Sequence, residues 1–216
     1  MAVAIHTRET SHQGVVEVTQ RPTALYPRNY EDRFGSYYET FLRDSNVRFR
    51  RSFYTSPPFA WEVQVTTTAD AAFPWAYILP WRRIVLLFER TGPNIYVSYS
   101  DSEGETWETP VLSIAGGSKP YGAVSPFDGT EIIAAFISAT GKIGMRRRYA
   151  GAAAYEAQVN LKDNAGADLL FEDDTFSFWQ AYEGPARWLL HAHIQGESAT
   201  STWWSGDDMT SLTRFV

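Results

Sequence analysis

Cysteine is absent from the 216 residues, which excludes a disulfide framework, a thiol nucleophile and thiolate-bound zinc together. The absence leaves the redox compartment open, because a cysteine-free chain tolerates reducing and oxidising surroundings alike. Long apolar runs are missing too. The most apolar stretch, residues 84–88 (Ile-Val-Leu-Leu-Phe), is strand-sized and lies between Arg83 and Glu89, so no membrane span is expected. The N-terminal sequence reaches His6, Arg8 and Glu9 before any apolar region of signal length, and no secretion signal is read there. Helical periodicity is also lacking: only residues 39–44 and 151–158 are helix candidates, and strand or loop fits both equally well. Positive charge is in deficit, with 19 Lys and Arg against 25 Asp and Glu for a net charge of −6. Nucleic acid is therefore an unlikely partner, since phosphate affinity comes mainly from Lys and Arg. Local basic runs remain at residues 48–51, 82–83 and 146–148, and they read as solvated or interface-facing strand surface.

What is abundant is aromatic. Phe, Trp and Tyr make up 15% of the chain, including 8 Trp and 12 Tyr, and together with Val, Ile and Thr they favour strands. The chain also repeats itself. Pro74-Trp75 and Pro80-Trp81 precede the apolar run at 84–88, and Pro120-Tyr121 and Pro126-Phe127 precede a second run at 132–136. Both proline–aromatic pairs recur at one offset (120 − 74 = 46; 126 − 80 = 46). A weaker third copy echoes Gly129 at Gly184 (184 − 129 = 55) and leads through Trp188 to Ile194, with the extra length assigned to a turn at 163–168. Each run is followed by a Gly-containing turn and a second strand. Repetition of strand pairs at this period is the sequence signature of propeller blades. The expected architecture is all-β, with three to four blades after a polar N-terminal arm, and an incomplete propeller among the alternatives. The division expected is 1–58 for the arm and leading strands and 59–216 for the repeats. Within the arm only a short strand at 15–18 is expected.

One hairpin carries a recognisable motif. Ser100, Asp101, Ser102, Gly104, Thr106 and Trp107 form a pattern that resembles the Asp box of sialidases and other BNR-repeat proteins, Ser-x-Asp-x-Gly-x-Thr-Trp. Ser102 holds the Asp position and Asp101 is displaced by one residue. The physical logic survives: Gly104 permits a positive φ, a short polar side chain caps turn N–H groups, and Trp107 anchors the hairpin. A degenerate copy lies at 205–212, while the middle copy near 149–151 keeps only its Gly. The resemblance implies a blade architecture over residues 59–216 and a structural rather than chemical role for the hairpin. The Arg-Ile-Pro of sialidases does not occur, so none of that family's catalytic residues is carried over.

Other constellations are sparse. His191 and His193 share one face of a strand, yet a closed metal site needs more ligands than two, so no metal or other cofactor is expected. Trp75, Trp81, Trp203 and Trp204 are candidates for a glycan or interface platform. The acids Glu172, Asp173, Asp174, Asp207 and Asp208 read as solvated turn residues. Short cysteine-free chains with degenerate sialidase-like repeats also look like bacteriophage virion proteins of the tail, collar or fibre. From that likeness the expectation is a non-enzymatic assembly protein in the virion, self-associating or bound to other subunits that cover its strand edges. A glycan-binding module for receptor attachment is the alternative, and a sialidase-like glycoside hydrolase the weaker one.

Overall fold

The computed structural model describes residues 7–8, 15–17, 25–31, 37–52, 61–79, 82–124, 129–181, 187–205 and 211–214. Every regular element among them is a strand, arranged in four sheets. The first holds β1 (Thr7–Arg8), β2 (Val15–Glu17), β3 (Leu25–Glu31), β4 (Tyr37–Arg43), β5 (Asn46–Ser52) and β6 (Trp61–Gln64), side by side in chain order. The second holds β7 (Ala71–Ile78), β8 (Ile84–Arg90), β9 (Asn94–Ser100) and β10 (Val111–Ala115). The third is β11 (Ser118–Val124), β12 (Glu131–Ile137), β13 (Lys142–Arg148) and β14 (Val159–Asn160). The fourth is β15 (Phe171–Ala181), β16 (Arg187–Ile194), β17 (Ser201–Ser205) and β18 (Thr213–Arg214). These are blade-like units, each a meander whose neighbouring strands follow one another in the chain.

Sequence pattern follows sheet position. The apolar runs become the second strands, β8 and β12, flanked on both sides and covered on both faces. Residues 84–88 are at most 1% exposed, and residues 132–135 are fully buried. A continuous apolar run, rather than alternation, is what a doubly covered strand requires. Alternation appears elsewhere: Trp188, Leu190, Ala192 and Ile194 of β16 put one face into a core shared with Ile132, Ala134, Ile143 and Met145.

The chain forms two compact units, one of residues 1–91 and 96–111, the other of residues 92–95 and 112–216. The first is built around Tyr38, Leu42, Val47 and Phe49 with Ala71, Ala76, Ile84, Leu86 and Phe88. The second has the core just named, extended by Leu161, Leu169, Phe171 and Leu212. The boundary expected at residue 58 falls in segment 53–60, outside the described residues.

Several details differ from the sequence reading. The N-terminal region is more structured than an arm: besides the expected strand at Val15–Glu17, residues 25–31 form a full strand paired with β4. The helix candidate at 39–44 is strand β4 and its turn, and 151–158 is irregular. The turn at 163–168 is present, with Asp163 Oδ1 accepting from the backbone N–H of Ala165 and Ala167 at 2.9 and 2.8 Å.

Candidate functional site

Three sheets share one irregularity in the strand that precedes the apolar run. In β7 the register passes from Ala72↔Glu89 to Trp75↔Leu87, so Phe73 and Pro74 together oppose one residue, Phe88. In β11 it passes from Ser118↔Phe136 to Tyr121↔Ala134, placing Lys119 and Pro120 against Ala135. In β3 it passes from Leu25↔Leu42 to Arg28↔Thr40, placing Tyr26 and Pro27 against Phe41. Two residues against one is a β-bulge, and a bulge is where a strand tolerates proline, because no ladder N–H is needed there. The offset of 46 between Pro74 and Pro120 is thus the spacing of a repeated bulge, with a further copy at Pro27.

The backbone at the bulges is strained. Phe73 has φ of 48° and Lys119 has φ of 49°. Side chains other than glycine resist this region, and a following proline pushes its predecessor toward extended conformations. Each such residue costs about 1–3 kcal/mol that the surrounding sheet must overcome.

The fourth sheet widens the feature. Its register passes from Phe171↔Ile194 to Phe176↔Ala192, so residues 172–175 (Glu-Asp-Asp-Thr) oppose His193 alone. Within the second unit the two bulges adjoin: Tyr121 follows one and Phe176 the other, with ring centroids 6.3 Å apart. Lys119 is half-buried at the first of these bulges and Glu172 exposed at the second, while His193, alternating with Ala192 and Ile194, stands on the face of β16 away from the core that Tyr121 and Phe176 pack against. His193 Nε2 lies 3.2 Å from the carbonyl oxygen of Glu197. A carbonyl only accepts, so Nε2 is the donor in that contact. His191 lies two residues earlier, its Nδ1 3.3 Å from Thr202 Oγ1. No group of three metal-ligating side chains occurs among the described residues.

The hairpin at 100–107 sits at the other end of its sheet from the Phe73 bulge, and its side chains are engaged in the turn itself. Gly104 N–H donates to Ser100 Oγ at 2.7 Å, and Thr106 N–H donates to Ser102 Oγ at 2.8 Å. Trp107 Nε1 donates to the Gly104 carbonyl at 2.9 Å. Gly104 has φ of 94°, and a Cβ there would collide with the ring of Phe49, which meets Trp107 edge-on at 5.2 Å. Asp101 points outward to Arg83, whose Nη2 donates to it at 3.1 Å.

The aromatic candidates separate. Trp75 is buried in β7, and Trp203 is half-buried against the core of the second unit with Nε1 on Ser201 Oγ at 2.8 Å. Trp81 and the side chain of Trp204 lie outside the described residues.

Two polar clusters were not visible in the sequence. Glu131, almost fully buried, accepts from Arg148 Nε and Nη2 at 2.8 and 2.5 Å and from Tyr155 Oη at 2.9 Å. Arg146 donates to the carbonyls of Glu156, Tyr155 and Ser113. The basic run at 146–148 is therefore largely engaged in holding the 149–158 loop, where a solvated or interface-facing strand surface was expected. In the second cluster, hydrogen bonds from Lys142 Nζ at 2.7 Å and Asn160 Nδ2 at 2.9 Å hold the Asp168 carboxyl below the usual carboxylate range.

The sequence matches no protein-family model and no curated protein. The fold does have counterparts. Two solved structures of an ulvan lyase, described as a new polysaccharide lyase family, PL25, superpose over 94% of this chain with a TM-score of 0.52 and 15% identity. One of them is bound to -[GlcA(1-4)Rha3S]-. The chain spans 60% of the length of those structures. At this identity the likeness is one of fold, an all-β, propeller-like architecture.

The comparison corrects the expectation of a non-enzymatic virion assembly protein. That reading rested on the likeness to bacteriophage virion proteins, with the missing Arg-Ile-Pro as the ground against enzymatic chemistry. The matched structures are described as polysaccharide lyases rather than sialidases, so the absence of a sialidase motif does not decide whether the chain is an enzyme.

Proposed function

We propose that the chain is a polysaccharide-active protein of the lyase kind, acting on a uronate-containing polymer beside the bulge of β15. The observation supporting this most directly is the fold, shared over 94% of the chain with a polysaccharide lyase. Elimination places modest demands on a scaffold. A base takes the proton from the carbon beside the uronate carboxylate, and the bond to the glycosidic oxygen breaks. That oxygen leaves with a proton, and a double bond conjugated to the carboxylate remains. The step needs a proton acceptor, an acid and a positive group near the carboxylate. His193, paired opposite the bulge of β15, is the acceptor to test. We read the hairpin at Ser100–Trp107 as an Asp-box-like folding element and give it no part in the chemistry.

The test is incubation with polygalacturonate and with ulvan, followed through the ultraviolet absorbance of the unsaturated uronate. Affinity electrophoresis in gels containing the same polymers reads binding separately. Lyase activity gives absorbance and retardation, both dependent on enzyme concentration. His193→Ala is expected to abolish the absorbance and leave the retardation within about twofold, since it removes a proton acceptor needed only in the transition state. New reducing ends without absorbance would replace elimination by hydrolysis. Neither product nor retardation with either polymer would overturn the reading.

A further inference from the structure

We infer that Glu197 and Arg214 are positioning residues for His193: their ion pair fixes the turn between β16 and β17, whose main-chain carbonyl holds the imidazole. The inference deepens the lyase reading, on which the role of His193 as proton acceptor rests.

The turn is specified locally. Gly196 has a φ of 86°, in the left-handed region that glycine enters freely, and the Glu197 N–H donates to the Ile194 carbonyl at 3.1 Å. The Gln195 N–H donates to the Leu170 carbonyl at 2.8 Å. That bond ties the turn to the residue before β15, and so to the bulge opposite His193. The turn brings the Glu197 carbonyl oxygen to 3.2 Å from His193 Nε2. This oxygen belongs to the main chain, so its place depends on what holds residue 197.

The Glu197 side chain supplies that hold. Its Oε1 lies 3.1 Å from Arg214 Nη1, while Oε2 is buried with no hydrogen-bond partner among the described residues. A buried carboxylate oxygen without a donor is costly, which makes the Arg214 contact the compensation for drawing Glu197 out of water. Arg214 in turn stands on a firm base. Leu212, two residues earlier, is fully buried, and its N–H donates to the Lys162 carbonyl at 2.9 Å. Arg214 itself pairs with Trp203 of β17. The ion pair therefore fastens the turn to the outer strand of its sheet. A proton acceptor needs such support, because proton transfer depends on the reach and orientation of its ring.

The experiment compares the full chain with Arg214→Ala, Arg214→Lys, Glu197→Gln and the double variant of Arg214→Ala with Glu197→Gln. One readout is the ring 15N resonances of His193, assigned by their loss in His193→Ala and recorded where the ring is neutral. The other is kcat and KM for elimination on ulvan or polygalacturonate. In the parent, Nε2 is expected to resonate as a protonated nitrogen, because it donates to a carbonyl. Arg214→Ala and Glu197→Gln are expected to move both ring resonances toward the averaged values of exchanging tautomers. They should lower kcat about tenfold and leave KM within about twofold. The double variant should resemble either single one, since each removes the same pair. Arg214→Lys keeps the charge and should stay within about threefold of the parent. Thermal midpoints should move by only a few degrees, because a pair with one exposed partner adds little to global stability.

Unmoved His193 resonances in Arg214→Ala and Glu197→Gln would overturn the inference, whatever the parent's activity. So would losses in kcat that multiply in the double variant, or lowered midpoints without a change at His193. Resonances that move as expected, in a parent that yields no unsaturated product from either polymer, would keep the positioning and remove the lyase reading instead.

Discussion

Ser100 and Gly104 show how much of this fold is settled by single atoms. The Gly104 N–H is buried and donates to Ser100 Oγ, so Ser100→Ala leaves a donor without its partner. The expected cost is about 1–3 kcal/mol. Gly104→Ala suffers twice, from a φ of 94° and from collision with Phe49, and should cost about 2–4 kcal/mol. A thermal midpoint lowered by roughly 5–15 °C for Gly104→Ala, and by less for Ser100→Ala, would bear this out. Equal midpoints for parent and Gly104→Ala would mean that the hairpin is not anchored on Phe49. Asp168 supplies a pH-dependent case. Its carboxyl is held below the usual range by the hydrogen bonds from Lys142 and Asn160, so the folded state binds this proton more weakly than the unfolded chain does. The resulting stabilisation is present above the unfolded pKa of about 3.9 and is lost as pH falls through the lower, folded value. Asp168→Asn should therefore lower stability at neutral pH and flatten its decline below about pH 4, read by denaturant midpoints across that range.

At the scale of strands and loops, the sequence revealed the repeat more readily than its meaning. The apolar runs announced β8 and β12 because a strand covered on both faces has no polar positions to break the run. The prolines at 74 and 120 gave the period, yet proline inside a strand normally argues against a strand, so the bulge they mark was not legible. Pro27 escaped notice because Arg28 follows it where the other copies have an aromatic, and β3 consequently passed for part of an arm. The acidic bulge at 172–175 reads as a turn from composition alone, since only the pairing of β15 with β16 shows that it interrupts a strand. The Glu131 cluster was illegible for a different reason: its partners stand 17 and 24 residues away in sequence. It carries a graded prediction. Glu131→Ala removes the buried carboxylate that Arg148 grips with two hydrogen bonds and should cost about 3–5 kcal/mol. Tyr155→Phe removes one hydrogen bond and should cost about 0.5–1.5 kcal/mol. Amide exchange in residues 149–158 should accelerate strongly in the first variant and slightly in the second. The reverse order would mean that the loop is held by its backbone contacts rather than by Glu131.

For the molecule as a whole, the proposed ligand and the protein carry charge of the same sign. The net charge is −6, while any cation that meets the sugar acts locally. Two salt effects therefore oppose each other. Long-range repulsion between chain and polyanion is relieved as the Debye length shrinks from about 30 Å at 0.01 M salt to about 10 Å at 0.1 M. Direct contacts between ammonium and carboxylate or sulfate weaken with salt throughout, because each one releases counterions from the polymer. Repulsion is largely screened by 0.1 M, so further salt acts mainly on the contacts. Affinity for polygalacturonate is expected to rise from about 0.01 M to about 0.1 M salt and to fall beyond it. Isothermal titration across that salt series separates the two arms. An affinity that only declines would show that local cations dominate at every distance. An affinity insensitive to salt would place recognition on the uncharged face of the sugar.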